Sequence, residues 1–194
     1  MNKLYVYAGI AASAVMIAIG IGSIVIGASG RSEVRDKVEL EGITGTPDMN
    51  PDDTRAAVEE AGIDVAIPDC TVAQKPVDDG ATAKCFAEYM RIHALEDTDG
   101  KTYAEMPRFL GENGKPVEDE ADAATDPKSG APVSNPERNI WVTETALSTA
   151  LNTSYFAEKV AEFSIVMGLC LLLAGVGFLV LTLRLPRRHA ELDA

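Results

Sequence analysis

LYVYAGIAASAVMIAIGIGSIVIGA, from Leu4 to Ala28, and FSIVMGLCLLLAGVGFLVLTL, from Phe163 to Leu183, are two uncharged apolar runs near the ends of a 194-residue chain. A helix rises about 1.5 Å per residue and the bilayer hydrocarbon is roughly 30 Å thick, so about 20 consecutive apolar residues suffice to cross it. Both runs reach that length, which a buried soluble helix with an apolar run of about 10–14 residues does not. Tyr5 and Tyr7 at one edge, with Lys3, Arg31, Arg184, Arg187 and Arg188 at the ends, match the amphipathic rings and snorkelling cations of the headgroup level. The alternative for the first run is a cleaved signal peptide, with Lys3 as its basic start and Gly27, Ala28, Ser29 and Gly30 as small residues near a cleavage site. A signal core is usually about 7–15 residues long, so the longer run favours an uncleaved anchor. Cleavage would leave a single-span, tail-anchored protein.

Lys3, the amino terminus, Arg184, Arg187 and Arg188 pull both ends toward the cytoplasm, but Arg31, Arg35, Lys37 and Lys159 flank the loop side almost equally. Length and charge decide the orientation instead. A loop far longer than about 60 residues crosses largely regardless of its charge. The chain has 17 basic and 30 acidic residues; setting aside Lys3, Arg184, Arg187, Arg188, Glu191 and Asp193 leaves 13 basic and 28 acidic, or −15. Such a surface repels anionic headgroups and nucleic acid, which excludes DNA and RNA as expected partners.

Cys170 lies in the second apolar run, whereas Cys70 and Cys85 lie together in the loop. In an oxidising compartment that pair forms a disulfide, contributing about 3 kcal/mol for a loop of this size. Free thiols are the alternative; without nearby histidines or a C-x-x-C spacing the pair makes a poor metal or redox site. No cofactor is expected.

Within the loop, Val38, Leu40 and Ile43 alternate with acids, which suits a short half-buried strand or an extended exit from the membrane over Lys37–Thr44. Thr46 to Asn50 reads as a turn. Asn50 caps a helix that has Pro51 in its first position, Asp52 and Asp53 in its first turn, and Gly62 as its stop. Ile63, Val65 and Ile67 alternate again as a second short strand ending at Pro68. A second helix spans about Ala81 to Leu95, with Cys85, Tyr89 and Ile92 on one stripe and Phe86, Met90 and His93 on the next. Gly111 to Glu137 is rich in Gly, Pro, Asp, Glu and Ser with almost nothing to bury, and reads as a mobile acidic insert or hairpin without a fixed fold. From Asn139, the residues Trp141, Leu147, Leu151, Phe156 and Val160 carry helical periodicity into the second run, as one long helix or two collinear ones.

The expected fold is therefore a mainly α membrane protein: two transmembrane helices, N-in/C-in, around a small, disulfide-stapled, α-rich extracytoplasmic domain. Its segments are a cytoplasmic N-terminus (1–3), the first span (4–28), the acidic domain (29–110), a flexible acidic insert (111–138), a helix leading to the membrane (139–162), the second span (163–183) and a cytoplasmic tail (184–194). The expected location is the plasma membrane, multi-pass, with the loop outside.

The words His93-Ala94-Leu95-Glu96 and Gly100-Lys101-Thr102-Tyr103-Ala104-Glu105, with Thr82-Ala83 before them and Asn152-Thr153-Ser154-Tyr155-Phe156 after, resemble a group of small actinobacterial membrane proteins. Those proteins carry two terminal spans around an extracytoplasmic loop, and many are labelled aromatic ring-opening dioxygenase, LigA-like. The likeness covers about half of the chain; the Cys70 and Cys85 pair and the longer acidic insert depart from it. Ring-cleaving iron(II) dioxygenases typically need two histidines and a carboxylate on one face of the metal. This chain has two histidines, His93 in the loop and His189 beyond the second span, so the membrane would separate them. The expectation is accordingly no enzyme, no catalytic residue and no metal.

Other chemical readings are weaker. His93 and Glu96 form an i, i+3 pair, more commonly surface structure than an acid/base couple. Asp97-Thr98-Asp99-Gly100 has the look of a calcium loop, but Leu95 and Met106 stand where an EF-hand needs acids, so a turn with Gly100 at positive φ is preferred. No phosphate-binding or nucleophile-elbow motif is present. Asn152-Thr153-Ser154 fits a glycosylation sequon, a pattern short enough to arise by chance. In the first run, Ala14, Ala18 and Gly22 are spaced by four, as are Gly9 and Ser13, and Ser23 and Gly27, so another helix can approach closely there. In the second run the small points are Gly168, Ala174, Gly175 and Gly177. Neither run holds an ionisable residue, which argues against an ion path. The expected function is an accessory or interaction subunit of a cell-envelope or membrane complex, with membrane lipids and other membrane or envelope proteins as partners. The alternative is a small membrane-anchored enzyme or ligand sensor with a site at His93, Glu96, Lys101 and Tyr103.

Overall fold

A computed structural model describes residues 3–192, with side chains from Leu4 to Arg184; Lys3 and the tail residues Arg187, Arg188 and His189 are outside the described side chains. The elements are α1 (Lys3–Leu40), α2 (Pro51–Ala61), α3 (Gly80–Glu96), a two-stranded hairpin of β1 (Phe109–Leu110) and β2 (Pro116–Val117), a 3-10 turn at Glu120–Asp122, and α4 (Glu137–Leu192). The chain divides into two compact units, one of residues 1–37 and 156–194, the other of residues 38–155.

The first unit is an antiparallel pair of helices. Stretches of α1 and α4 with mean hydropathy 2.3 and 2.6 are long and apolar enough to cross a membrane, though only 17% of either window is buried in the chain. The two backbones meet through small residues. A Cβ added at Gly20 would lie 2.7 Å from the Gly168 carbonyl oxygen, and one at Gly168 would lie 2.6 Å from that of Gly20. Gly27 meets Ala161 and Ile165, Gly175 meets Ile17, and Gly9 meets Thr182. The buried small residues thus recur every seven, Ser13, Gly20 and Gly27 on α1 and Ala161, Gly168, Gly175 and Thr182 on α4, which is the seam of a left-handed helix pair. Ala14 and Ala18 are exposed and Gly22 has open space where its side chain would be, so that stripe takes no part in the pairing. Beyond the apolar stretch, Glu158 is buried and accepts from Arg31 Nε at 2.8 Å and Arg35 Nε at 3.2 Å. Arg31 also reaches Glu162 at 3.4 Å.

At the seam glycines Gly20, Gly27, Gly168 and Gly175, any side chain larger than hydrogen must displace the facing helix. Gly168→Val is expected to weaken the helix pairing by roughly 1–3 kcal/mol, the cost of overpacking a close contact. Gly22→Val and Gly177→Val, where nothing lies within 4 Å, should leave it unchanged in reversible denaturation with mixed mild detergent and SDS. Equal loss in all three variants would remove the seam from the explanation.

The second unit is built on α2 and α3. Asn50, extended at φ −141°, accepts from the Asp52 and Asp53 N–H groups, Pro51 takes the first helical position, and Gly62 at φ 68° ends α2. Asp79 and Thr82 cap α3 reciprocally: the Thr82 N–H donates to Asp79 Oδ1 at 2.8 Å and the Asp79 N–H donates to Thr82 Oγ1 at 3.1 Å. The inner face of α3 buries Ala83, Cys85, Phe86, Tyr89, Ile92 and Leu95. Cys70 and Cys85 form a disulfide with Cα atoms 6.1 Å apart, and the Tyr89 hydroxyl donates to the Cys70 carbonyl at 2.5 Å.

Two expected strands are absent. Lys37–Leu40 continues α1, because nothing in the sequence breaks the helix before Gly42, which turns it at φ 61°; past that turn Thr44 and Gly45 make isolated bridges, to Pro76 and Ala73. Ile63 to Ile67 alternates in burial as a strand would, but among the described residues no strand lies beside it to make a sheet. The acidic segment 111–138 holds β2, paired to β1 in the register Phe109↔Val117 and Leu110↔Pro116. Main-chain bonds rather than burial organise the segment: Leu110 N–H to the Val133 carbonyl, Ala124 N–H to that of Leu110, and Val133 N–H to that of Ala124, at 2.8–2.9 Å. Asp126 accepts from the Ser129 and Lys128 N–H groups, which lowers its carboxyl pKa from the ordinary value. Asn135, almost fully buried, donates to the Pro107 carbonyl at 3.0 Å and accepts from the Glu137 N–H at 3.1 Å, setting the start of α4.

Candidate functional site

His93 and Glu96 sit on the last turn of α3, and the chain then reverses. Gly100 N–H returns to the Leu95 carbonyl at 2.7 Å, with Asp99 and Gly100 at φ 50° and 73°. Thr98 Oγ1 donates to the Ala94 carbonyl at 2.7 Å and closes the helix end. Glu105 accepts from the Thr102 N–H and hydroxyl at 2.8 and 2.7 Å, which lowers its pKa. Trp141 of α4 then inserts beside Ala94, Leu95 and Met106, and its Nε1 donates to the Lys101 carbonyl at 2.8 Å and to Thr98 Oγ1 at 3.2 Å. The residues of the two quoted words thus end α3 and form the seat of the chain's one tryptophan.

The four candidate side chains do not converge. His93 Nε2 pairs with Asp48 Oδ2 at 3.1 Å, not with Glu96. The Thr46 hydroxyl, first, then the Asp48 main chain and His93 hold the Asp48 carboxyl below its ordinary pKa. Burial pushes Glu96 the other way, above the usual glutamate value. Lys101 contributes its carbonyl to Trp141. Tyr103 is half exposed, with the Arg138 guanidinium 3.9 Å from its ring centre, beside a shallow apolar patch that includes Trp141, Val142 and Ala146. His93 does line one cleft, about 380 Å³, together with Asp97, Asn139, Thr143 and Glu144. Glu144 is buried there and accepts from Ser148 Oγ at 2.7 Å and Thr145 Oγ1 at 3.3 Å. The sequence reading passed over Asp48 and Glu144; polar residues in a turn and in an amphipathic helix carry no local signal of such a role. Among the described residues no group of three or more His, Cys, Asp or Glu side chains is arranged to hold a metal ion. What this arrangement can do is orient an imidazole against a carboxylate and present an acidic, partly apolar surface.

Glu96 gives a pH-dependent test. A carboxyl whose folded pKa is raised favours the fold when protonated, so ionisation at neutral pH costs stability. Glu96→Gln is expected to raise stability slightly at pH 7, by less than ~1 kcal/mol. The gain should shrink as pH falls through the raised folded value toward the ordinary one. Asp48→Asn should do the reverse: a loss at neutral pH that vanishes as pH falls through the lowered pKa of Asp48. Thermal unfolding across pH measures both.

Compared with known proteins, the chain matches no family model, no curated protein and no solved structure.

Proposed function

We propose that this chain is a non-enzymatic integral membrane protein, anchored N-in/C-in by α1 and α4, which presents its acidic domain outside the cytoplasm as an accessory subunit of a membrane or cell-envelope complex. The observation that carries this reading is the outward surface of the helix pair. Ile19, Ile26, Phe163, Leu173 and Leu181 are each more than half exposed on helices whose seam residues Ser13, Gly20, Gly27, Ala161, Gly168 and Gly175 face inward. Lipid tails or apolar partner helices satisfy such a surface and water does not. The core helix of a soluble protein would bury far more than 17% of so apolar a stretch.

The Cys70–Cys85 disulfide supports an oxidising side for the domain. Residues 38–155 contain 24 acidic and nine basic side chains, a surface suited to protein partners and repelled by anionic lipid and nucleic acid. The likeness of the His93–Glu96 and Gly100–Glu105 words to two-span actinobacterial proteins is in keeping with this reading. Affinity purification in mild detergent followed by mass spectrometry is expected to bring down stoichiometric membrane or envelope proteins, and His93→Ala should leave the phenotype intact. Solitary purification, with loss of function in His93→Ala, would turn the reading to a ligand sensor at the cleft that His93 and Glu144 line. An impermeant maleimide applied to intact cells should reach Cys70 and Cys85 only after reduction; labelling without it would contradict a bridged pair outside.

A further inference from the structure

From Ile63 to Ile67 the chain alternates in burial, with Ile63, Val65 and Ile67 half-buried and Asp64 and Ala66 exposed, and it runs without a bend as far as Pro68. Ile63 and Val65 pack on the cluster of Ala94, Leu95, Met106 and Trp141. The segment thus has the form of a strand, held on one face by the core. Past Ile63 its main chain makes no hydrogen bond among the described residues. Ile63 N–H bonds to the Val58 carbonyl, and the next main-chain bond along the chain is from Val72 N–H to the Met49 carbonyl, with the Cys70 carbonyl taken by Tyr89 between them. Asp64 to Ile67 makes no main-chain hydrogen bond among the described residues. A row of unpaired N–H and C=O groups on an extended segment is a template for another strand.

We propose that Asp64–Ile67 is a strand-addition site for an extended, basic segment of a partner protein. The surroundings specify the occupant. A cleft of about 510 Å³ runs between this segment and α3, with Val65, Ile67 and Ile92 supplying apolar lining and Asp69, Glu88 and Arg91 its polar side, where Glu88 is already paired with Lys84 at 3.1 Å. Asp64 and Asp69 join no ion pair among the described residues. Alternate side chains of an added strand point to opposite faces, so lysines or arginines at every second position lie on the exposed face of Asp64 while apolar ones enter the cleft, which Asp69 also lines. A second copy of this chain would bring the same acids edge to edge, and Pro68 ends the bonding row; both features disfavour self-pairing. The inference rests on, and deepens, the reading of the chain as an interaction protein.

The test is amide hydrogen exchange on the full chain in detergent, alone and with the capped peptide Lys-Val-Lys-Val-Lys-Val. The amides of Asp64, Val65, Ala66 and Ile67 are expected to exchange fast in the free chain. Those on the pairing edge should slow by roughly tenfold or more with the peptide, and not with a Glu-Val analogue or a fully N-methylated one. Slow exchange in the free chain, protection elsewhere, or equal protection by the Glu-Val peptide would each overturn the proposal. In the variant Ala66→Pro, checked as folded by Trp141 fluorescence, peptide affinity should fall about tenfold if the Ala66 edge pairs; if Val65 and Ile67 are the amides protected, Val65→Pro should fall instead. Undiminished affinity in both overturns it. Peptide protection without any co-purifying partner would leave the edge standing and remove the accessory reading; partners without peptide protection would do the opposite.

Discussion

Replacing Trp141 by alanine is expected to destabilise the second unit by about 3–5 kcal/mol, the range for removing a buried large aromatic side chain. Trp141 is 4% exposed and packs with Ala94, Leu95 and Met106, while its ring nitrogen holds the Lys101 carbonyl and Thr98 Oγ1. Arg91 covers the ring, with its guanidinium carbon 5.1 Å from the centroid. Alanine would open a cavity and take the indole donor from the Lys101 carbonyl, leaving Thr98 Oγ1, at 2.7 Å, as its remaining donor. Trp141→Phe separates the two effects, keeping most of the apolar area while losing the bond, with an expected cost of about 1–3 kcal/mol. Because the chain has one tryptophan, circular dichroism and amide exchange replace fluorescence as the measurement. The first amides to lose protection should be those of Gly100 and Lys101, whose turn bonds reach Leu95 and Thr98. If the alanine variant unfolds at the wild-type denaturant concentration, the indole is not the centre of this core.

Removing the disulfide is the second large effect. Cys70 and Cys85 are 15 residues apart, and closing a loop of that size contributes about 3 kcal/mol in the chain-entropy account. The bond fastens the extended segment after Pro68 to the buried face of α3, where Cys85 is 4% exposed and Tyr89 holds the Cys70 carbonyl. In the double variant Cys70→Ala, Cys85→Ala, the denaturation midpoint followed by Trp141 fluorescence should fall accordingly. A reducing agent should move wild type to the same midpoint and leave the double variant where it is. Reduction without any shift would mean that the helix caps and the Trp141 cluster already determine this unit.

Much of this was legible in the residues because the signals are local. Asn50, Pro51 and Gly62 bound α2, and Gly100 takes positive φ at the turn after α3, because capping and turn chemistry depend on side chains within a few residues. The helical periodicity from Trp141 onward does run without a break into the second apolar stretch. The strand expected at Lys37–Thr44 failed because alternation over so few residues fits a helix as well, and only Gly42 stops α1. The Ile63–Ile67 alternation was read correctly as burial and wrongly as sheet, since a strand needs a neighbour that no local pattern supplies.

The apolar length of the two runs and the acidic charge of the residues between them follow from the sequence by itself, because they depend on composition and on counting; the two loop cysteines were an expected pair with free thiols as the alternative, and the fold brings them within bonding distance. Which face of α1 meets α4 was decided only in three dimensions. A spacing of four picked out Ala14, Ala18 and Gly22 along with the pairs Gly9–Ser13 and Ser23–Gly27, whereas the seam repeats every seven through Ser13, Gly20 and Gly27, opposite Ala161, Gly168 and Gly175. Several small-residue stripes coexist on α1, and a stripe becomes a seam only where the partner helix offers small residues at the same heights. The same holds for His93. Its sequence neighbours point to Glu96, but its partner is Asp48, more than 40 residues away along the chain, because chain reversal and not spacing brings a side chain from the turn before α2 against the end of α3.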